Sequence, residues 1–138
     1  MSQDEILNDL INPNKYQDSF SLKSLTKEFC EDLLRNMLLI REAEAKIALE
    51  RKSGTIEGPV HLSTGQEAIP TGIAVHLEKS DFVFGAHRSH AHILSLGTSL
   101  HKFFAEILGK SSGLSKGFGG SMHLFDSSVG FMGSVPIV

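Results

Sequence analysis

The sequence predicts an α/β fold, and three features of its pattern indicate this class. The first half contains a long amphipathic helix, a short apolar strand follows in the second half, and that strand leads directly into a polar cluster. A polar cluster at the end of a strand is a usual position for a site in open α/β sheets. All 13 glycines and all 7 histidines lie at or beyond Gly54, so the chemistry is expected in the second half.

The N-terminal segment, residues 1–24, is predicted to be a leader, and residues 25–138 are predicted to be folded. The leader resembles neither a secretory signal nor an arginine-rich transit peptide, which favours a cytoplasmic protein. No apolar stretch approaches the roughly 18 residues that span a bilayer. The 13 basic and 16 acidic residues give a net charge of −3, without the basic excess that binds nucleic acid. We therefore expect no membrane and no nucleic acid among the partners.

A long helix is predicted from about Leu25 to Lys52, because apolar residues recur there at helical spacing. The residues of this stripe are Leu25, Phe29, Leu33, Met37, Ile40 and Ile47. Gly54 is expected as the left-handed C-terminal cap, and Glu42 is expected to pair with Lys46 one turn later. The run 37–40 is apolar on several faces, which indicates burial between other elements or against a second chain.

A second helix is predicted to begin near Thr64, just after His61. Thr64 and Glu67 have the spacing of a capping box, in which hydroxyl and carboxylate bind free amides. Pro70 removes one helical hydrogen bond and is expected to kink the helix. A lone histidine beside apolar residues is more often structural than catalytic, but a helix N-terminus would favour an anionic substrate near His61. Both roles stay open on the residues alone.

A buried strand is predicted at 82–85, where the chain is short and apolar. It delivers the chain into a dense cluster at 87–92, which reads His-Arg-Ser-His-Ala-His. One helix is then predicted to run to Gly97, and another to span 99–108, with Gly109 as its stop.

The cluster at 87–92 favours anion recognition over metal binding. His90 and His92 point apart on a helix, and no nearby cysteine or carboxylate completes a zinc ligand set. Arg88 offers a fork of donors that suits a phosphate, and neighbouring imidazoles can donate hydrogen bonds or move protons near neutral pH. The alternative is a surface helix start with incidental histidines.

The segment 110–121, which we call the glycine loop, is rich in glycine, serine and lysine. It is not a P-loop, because Phe104 stands where the first glycine must be. It is not a dinucleotide fingerprint either, because Met122 replaces the third glycine. It is either a flexible linker or a loop whose backbone approaches a ligand or another subunit, with Lys116 as counter-charge.

Five segments, taken in order, resemble a known family. They read LLRNMLLIREAEAKI, HLSTGQEAIPTGI, FGAHRSHAHILSLG, EILGKSSGLSKGFGGSMHLFD and GFMGSVPIV. Over about Leu33 to Val138 they are similar to the N-terminal part of the alpha subunit of thiamine-diphosphate-dependent 2-oxo acid dehydrogenases, of the pyruvate and acetoin dehydrogenase type. Residues 25–138 would then be the N-terminal part of that family's thiamine-diphosphate-binding domain.

The resemblance implies a thiamine-diphosphate-binding fold with a parallel sheet flanked by helices, incomplete in this chain. It assigns the cofactor's diphosphate to His87 and Arg88, with His87 in place of the family's usual tyrosine. The backbone of Pro136 and Val138 matches the pair that clasps the aminopyrimidine ring. Pro136 has no N–H, but its carbonyl can still accept a hydrogen bond.

The resemblance also implies the reaction and its catalytic residues, His61 and His90. His61 matches a histidine near the bound 2-oxo acid, and such histidines supply electrostatics and protons. The implied enzyme is an oxidoreductase that oxidatively decarboxylates pyruvate or a related small 2-oxo acid and transfers the acyl group to lipoyl. The implied partners are a beta subunit, in an α2β2 heterotetramer, and a lipoylated acyltransferase subunit.

Three other functions stay open beside this one. The first is the alpha subunit of an acetoin-cleaving dehydrogenase, and the second is a non-catalytic module for subunit assembly. The third is a stand-alone phosphate-binding protein that uses Arg88 and Lys116. The family's Mg²⁺ ligands lie downstream of Val138, so we expect an N-terminal fragment that alone neither binds thiamine diphosphate tightly nor turns over 2-oxo acids.

Overall fold

The computed structural model of the chain describes residues 24–86 and 88–134. The predicted leader, apart from residue 24, therefore lies outside the described residues. The contacts divide the chain into two units, with the boundary between Cys30 and Glu31. The second unit contains every element that follows the first turn of the long helix.

The long helix, α1, spans Lys27–Ser53 and confirms the prediction from periodicity. It ends at Gly54, whose φ of +84° gives the predicted left-handed cap. The ion pair predicted with Glu42 is wrong: Lys46 Nζ lies 2.6 Å from Glu50 Oε1. Both carboxylates stand four residues from Lys46, so spacing alone does not choose between them.

One face of α1 is buried, and apolar side chains elsewhere on the helix remain in solvent. Ile40, Ala43 and Ile47 are buried, whereas Leu38 is 52% and Leu39 37% exposed. The run 37–40 is thus only partly enclosed by the second unit.

The second helix, α2, spans Ala68–Ala74 and begins four residues later than predicted. The capping box is wrong, because the Glu67 carboxylate accepts from the Gly65 amide and from Arg41. Pro70 is the third residue of α2, where the amide of a first turn has no partner within the helix. The proline is therefore accommodated without breaking the helix.

Two parallel strands confirm the predicted α/β class. Strand β1 spans Val83–Gly85 and β2 spans Phe131–Ser134, with Val83 opposite Phe131. The strand predicted at 82–85 is thus confirmed over Val83–Gly85, but its predicted burial is wrong, because Phe82 is 68% and Phe84 63% exposed. The pairing of β1 with β2 joins two segments that are far apart in the sequence.

The connection between the strands carries two short α-helices and one 3-10 helix, Ser127–Val129. Helix α3 spans His90–Ser95 and helix α4 spans Leu100–Ile107, as the glycine stops predict. The Ser99 hydroxyl caps α4 by accepting from the Lys102 amide at 3.5 Å. Gly109 has a φ of +66°, which suits its place just beyond the end of α4.

The core of the second unit is formed by α1, α3, α4 and β2, together with Ile56 and Leu124 from the connecting segments. Its buried residues are Ile40, Ala43, Ile47, Ile56, Ala91, Ile93, Leu94, Phe103, Ile107, Leu124 and Phe131. In the described part of the chain, every helix is too short or too polar to cross a membrane.

Candidate functional site

The Arg88 turn, defined by Ala86, Arg88 and Ser89, follows the C-terminal end of β1. Arg88 Nη1 donates to the Leu62 carbonyl at 3.2 Å, and the Ser63 hydroxyl donates to the Arg88 carbonyl at 3.0 Å. These two bonds tie the turn to the segment that enters α2. The Arg88 side chain itself stays exposed, which leaves its guanidinium accessible to a ligand.

A glycine makes this turn possible. Ser89 is buried and its hydroxyl donates to the Ala86 carbonyl. A Cβ added at Gly85 would collide with the Ser89 side chain, because it would lie 2.9 Å from the Cβ atom of Ser89. Gly85 therefore lets the Ser89 side chain pack against the end of β1.

The structure brings the neighbourhood of His61 to Arg88. His61 is partly buried and directly precedes Leu62, whose carbonyl accepts from Arg88. The other three predicted cofactor contacts, His87, Pro136 and Val138, lie outside the described residues.

His90 is completely buried, at the start of α3. Its Nδ1 lies 3.2 Å from Glu44 Oε1, and its Nε2 lies 2.7 Å from Ser121 Oγ. The ring also contacts Phe103 edge-on, with centroids 5.6 Å apart. Both ring nitrogens are thus engaged inside the protein. A direct catalytic role for His90 stays a prediction, and the geometry suits a supporting role.

A second carboxylate, Glu106, organises the glycine loop. Glu106 lies in the last turn of α4 and is completely buried. Its Oε2 accepts from the amides of Ser115 at 2.6 Å and Gly117 at 2.9 Å. Its Oε1 accepts from the amides of Gly119 at 2.7 Å and Gly120 at 3.3 Å. The loop is therefore wrapped around one side chain.

The pKa of Glu106 reflects these contacts. Burial would raise the pKa, but the amides of Gly117, Ser115, Gly119 and Gly120 outweigh it and hold the pKa below the ordinary range. The carboxylate is therefore ionised near neutral pH.

Close packing explains several glycines of the loop. An added Cβ at Gly113 would lie 2.6 Å from Glu106 Cα, and one at Gly117 would lie 2.8 Å from the Lys110 amide nitrogen. A Cβ at Gly119 would collide with the His123 carbonyl. The loop is thus a packed structure, which argues against the linker hypothesis.

Glu67 is a third carboxylate near the entry to α2. Arg41 Nε donates to Glu67 Oε1 at 2.5 Å, and the Gly65 amide donates to the same oxygen at 2.9 Å. The hydrogen bond from Arg41, followed by that from Gly65, lowers the pKa of Glu67 to about 2.

Two further results concern the histidine cluster. Burial lowers the pKa of His92, although a hydrogen bond with the Arg88 backbone opposes the change. Within residues 24–86 and 88–134, no group of three or more histidine, cysteine, aspartate or glutamate side chains converges to hold a metal ion.

Sequence reasoning singled out Arg88, His61 and His90 but missed Glu44, Glu106 and Ser121. Glu106 has no motif around it, because its partners are backbone amides from nine to fourteen residues later. The only available signal was the density of glycines after α4.

Three known proteins with similar sequences are named as alpha subunits, one of an acetoin oxidoreductase and two of pyruvate dehydrogenases. The chain is 41% identical over 115 residues to the alpha subunit of an acetoin:2,6-dichlorophenolindophenol oxidoreductase of Bacillus subtilis (strain 168), covering 83% of this chain and 34% of that protein. It is 39% identical over 128 residues to the pyruvate dehydrogenase E1 component subunit alpha of Rickettsia prowazekii (strain Madrid E), covering 93% and 37%. A mitochondrial pyruvate dehydrogenase E1 component subunit alpha-1 of Arabidopsis thaliana is 38% identical over 120 residues, covering 87% and 31%.

The chain spans about a third of the length of these relatives. A model of the family described as dehydrogenase E1 component matches residues 35–138. This match confirms the resemblance of the five segments. The chain belongs to the dehydrogenase E1 component family.

Proposed function

We propose that this chain forms part of the alpha subunit of a 2-oxo acid dehydrogenase and binds the diphosphate end of thiamine diphosphate through Arg88. The observation that carries the proposal is the Arg88 turn. Arg88 follows the end of a parallel strand. Its Nη1 donates to the Leu62 carbonyl, which fixes the guanidinium, and the side chain stays exposed. The remaining N–H groups of the planar fork suit a phosphate, and strand ends of this kind are usual ligand positions.

The other cofactor contacts follow from the family resemblance. His87, next to Arg88, would donate a second hydrogen bond to the diphosphate. The backbone of Pro136 and Val138 would hold the aminopyrimidine ring, with Pro136 accepting through its carbonyl. The Mg²⁺ that accompanies the diphosphate would be held by residues outside this chain. When bound, thiamine diphosphate supplies the electron sink for breaking the carbon–carbon bond beside the 2-oxo group.

The histidines of this chain have different parts in the proposal. His61 would lie close to the carboxylate of the 2-oxo acid, where an imidazole can donate a hydrogen bond or move a proton. His90, buried against Glu44 and Ser121, would support the turn that carries Arg88. The substrate would be pyruvate or a related small 2-oxo acid, with CO₂ released and the acyl group passed to lipoyl.

The partners in the proposal are a beta subunit, in an α2β2 heterotetramer, and a lipoylated acyltransferase. Two relatives carry "E1 component subunit alpha" in their names, which supports a multisubunit enzyme. The exposed leucines of α1, among them Leu38, offer apolar surface to such a neighbour. A cytoplasmic location stays a prediction.

The experiment is cofactor titration of the complete alpha subunit with its beta partner. Arg88→Ala is expected to weaken thiamine diphosphate binding by at least about tenfold, because a charge-assisted hydrogen bond contributes about 1.5–3 kcal/mol. Arg51→Ala is the matched control, since Arg51 Nη1 also donates to a backbone carbonyl, that of Ile56 at 3.3 Å. Equal affinity in wild type and Arg88→Ala would refute the proposal.

Acetoin cleavage is the second candidate, and the 41% identity to the Bacillus subtilis acetoin oxidoreductase subunit supports it. The two reactions share the cofactor but not the bond that is broken. Turnover of the same assembled enzyme with pyruvate and with acetoin distinguishes them. If neither compound is turned over while the subunits still assemble, the chain serves assembly instead.

A further inference from the structure

The carboxylate that holds the glycine loop, Glu106, lies where a negative charge is unfavourable. Glu106 stands in the last turn of α4, where the negative end of the helix dipole disfavours an acidic side chain. It is also completely buried, which disfavours the ionised form. Hydrogen bonds from the loop amides compensate for both effects.

The loop also contains local backbone strain beside these bonds. Lys116 has a φ of +58°, a conformation that is costly for a residue with a side chain. The amides on either side of it, from Ser115 and Gly117, both donate to Glu106 Oε2. The carboxylate therefore holds the backbone in a conformation that the sequence would not adopt by itself.

A continuous chain of contacts leads from Glu106 to the Arg88 turn. Gly119 and Gly120 bind Glu106 Oε1 and directly precede Ser121. The Ser121 hydroxyl lies 2.7 Å from His90 Nε2, and His90 begins α3 two residues after Arg88. A shift of the glycine loop would thus displace the hydroxyl that meets His90.

We propose that Glu106 is a positioning residue: it shapes the glycine loop and, through Ser121 and His90, fixes the Arg88 turn in the geometry that binds diphosphate. The proposal rests on the proposed function of Arg88. The three observations that support it are the amide bonds to Glu106, the glycines packed against it, and the Ser121–His90 contact. Glu106 needs no contact with the cofactor to act in this way.

The experiment combines two measurements on the complete alpha subunit with its beta partner. The first is hydrogen exchange of the amides in the glycine loop, and the second is the affinity for thiamine diphosphate with Mg²⁺. Glu106→Gln replaces one acceptor oxygen by a donor, so two of the amides lose their partner. We expect exchange in the loop at least tenfold faster and cofactor binding at least tenfold weaker.

Two further variants separate positioning from a general loss of stability. Ile40→Val removes core packing on α1 and is expected to leave both loop exchange and cofactor affinity unchanged. Glu106→Asp keeps the charge and is expected to lie between wild type and Glu106→Gln in both measurements. If Glu106→Gln does not fold, loop exchange and cofactor affinity of Glu106→Asp test the proposal in its place.

The outcomes distinguish this proposal from the proposed function. Unchanged loop exchange in the Glu106 variants overturns the role of Glu106, whatever the cofactor affinity is. Faster exchange with unchanged affinity overturns the link to Arg88. If wild type does not bind thiamine diphosphate, the proposed function fails and the positioning role fails with it, while the exchange data still decide whether Glu106 holds the loop.

Discussion

The glycine loop and the helical core each enclose one completely buried carboxylate, and they bind it differently. Glu106 accepts from the backbone amides of the loop on both oxygens. Glu44 meets one imidazole nitrogen of His90 through Oε1, and its Oε2 has no hydrogen-bond partner among the described residues. One carboxyl group is thus bound by a segment folded around it, and the other by a single side chain.

This difference shows what a carboxylate can do for a fold. Glu106 replaces the regular hydrogen bonds that an irregular loop lacks, so its loss leaves several amides without a partner. Glu44 orients one ring, so its loss affects mainly His90. The two sites differ in how many other groups depend on the carboxylate.

The largest expected effect comes from comparing Glu106→Gln with Glu44→Gln. Glu106→Gln is expected to lower the free energy of unfolding by about 3 kcal/mol, because it leaves two partly buried amide donors unpaired. Glu44→Gln is expected to cost about 1 kcal/mol, since one oxygen has no hydrogen-bond partner among the described residues. Urea unfolding of both variants measures the two losses. Equal losses would contradict the comparison.

A somewhat smaller effect is expected from Gly117→Ala, with Gly54→Ala as its control. Both glycines have a positive φ, +83° and +84°, but only the Cβ at Gly117 would meet backbone atoms within 4 Å. Gly54→Ala is expected to cost about 1 kcal/mol from the backbone conformation alone. Gly117→Ala is expected to cost about 2–3 kcal/mol, because a close contact is added. Thermal unfolding measures the loss of stability in each variant. Equal losses in Gly117→Ala and Gly54→Ala would contradict close packing of the glycine loop.

Glu67 is a carboxylate with two kinds of partner, the Arg41 side chain and the Gly65 amide. Its contribution to stability is expected to depend on pH. Its pKa of about 2 in the folded state lies below the ordinary value of a glutamate, so its stabilising contribution is present above the ordinary pKa. That contribution is lost as the pH falls through the folded pKa. The stability difference between wild type and Glu67→Gln should therefore shrink from pH 6 to pH 2. A difference that stays constant over this range would contradict the low pKa.

The smallest effect is expected at Lys116, the residue with φ +58° in the glycine loop. Lys116→Gly relieves the backbone strain but increases the freedom of the unfolded chain. We expect a net stabilisation of less than about 1 kcal/mol in urea unfolding. A clear destabilisation would show that the lysine side chain has a stabilising contact.

Elements with a strong local signal could be predicted from the sequence. Helix α1 followed from its apolar spacing, and the ends of α1 and α4 followed from Gly54 and Gly109. The start of α2 could not be predicted, because Glu67 binds Arg41 from α1 instead of completing a local cap. Tertiary contacts of this kind are invisible to a pattern that extends over a few residues.

The candidate site was predictable only in part for the same reason. Arg88 stands in a dense polar cluster that follows a strand, and this local pattern indicated a site. The role of Glu106 depends on amides that reach it only after the glycine loop has folded back over α4. An ordinary glutamate in an amphipathic helix gives no sign of such partners.

The parallel pairing of β1 with β2 has a consequence for the order of folding. Val83 and Phe131 pair only after the chain between them, with α3, α4 and the glycine loop, has been brought back on itself. The entropy of closing so long a connection is lost before any hydrogen bond of the ladder forms. We therefore expect the strands to join late, onto helices that have already packed against α1, so that the two-stranded ladder completes this unit and does not nucleate it.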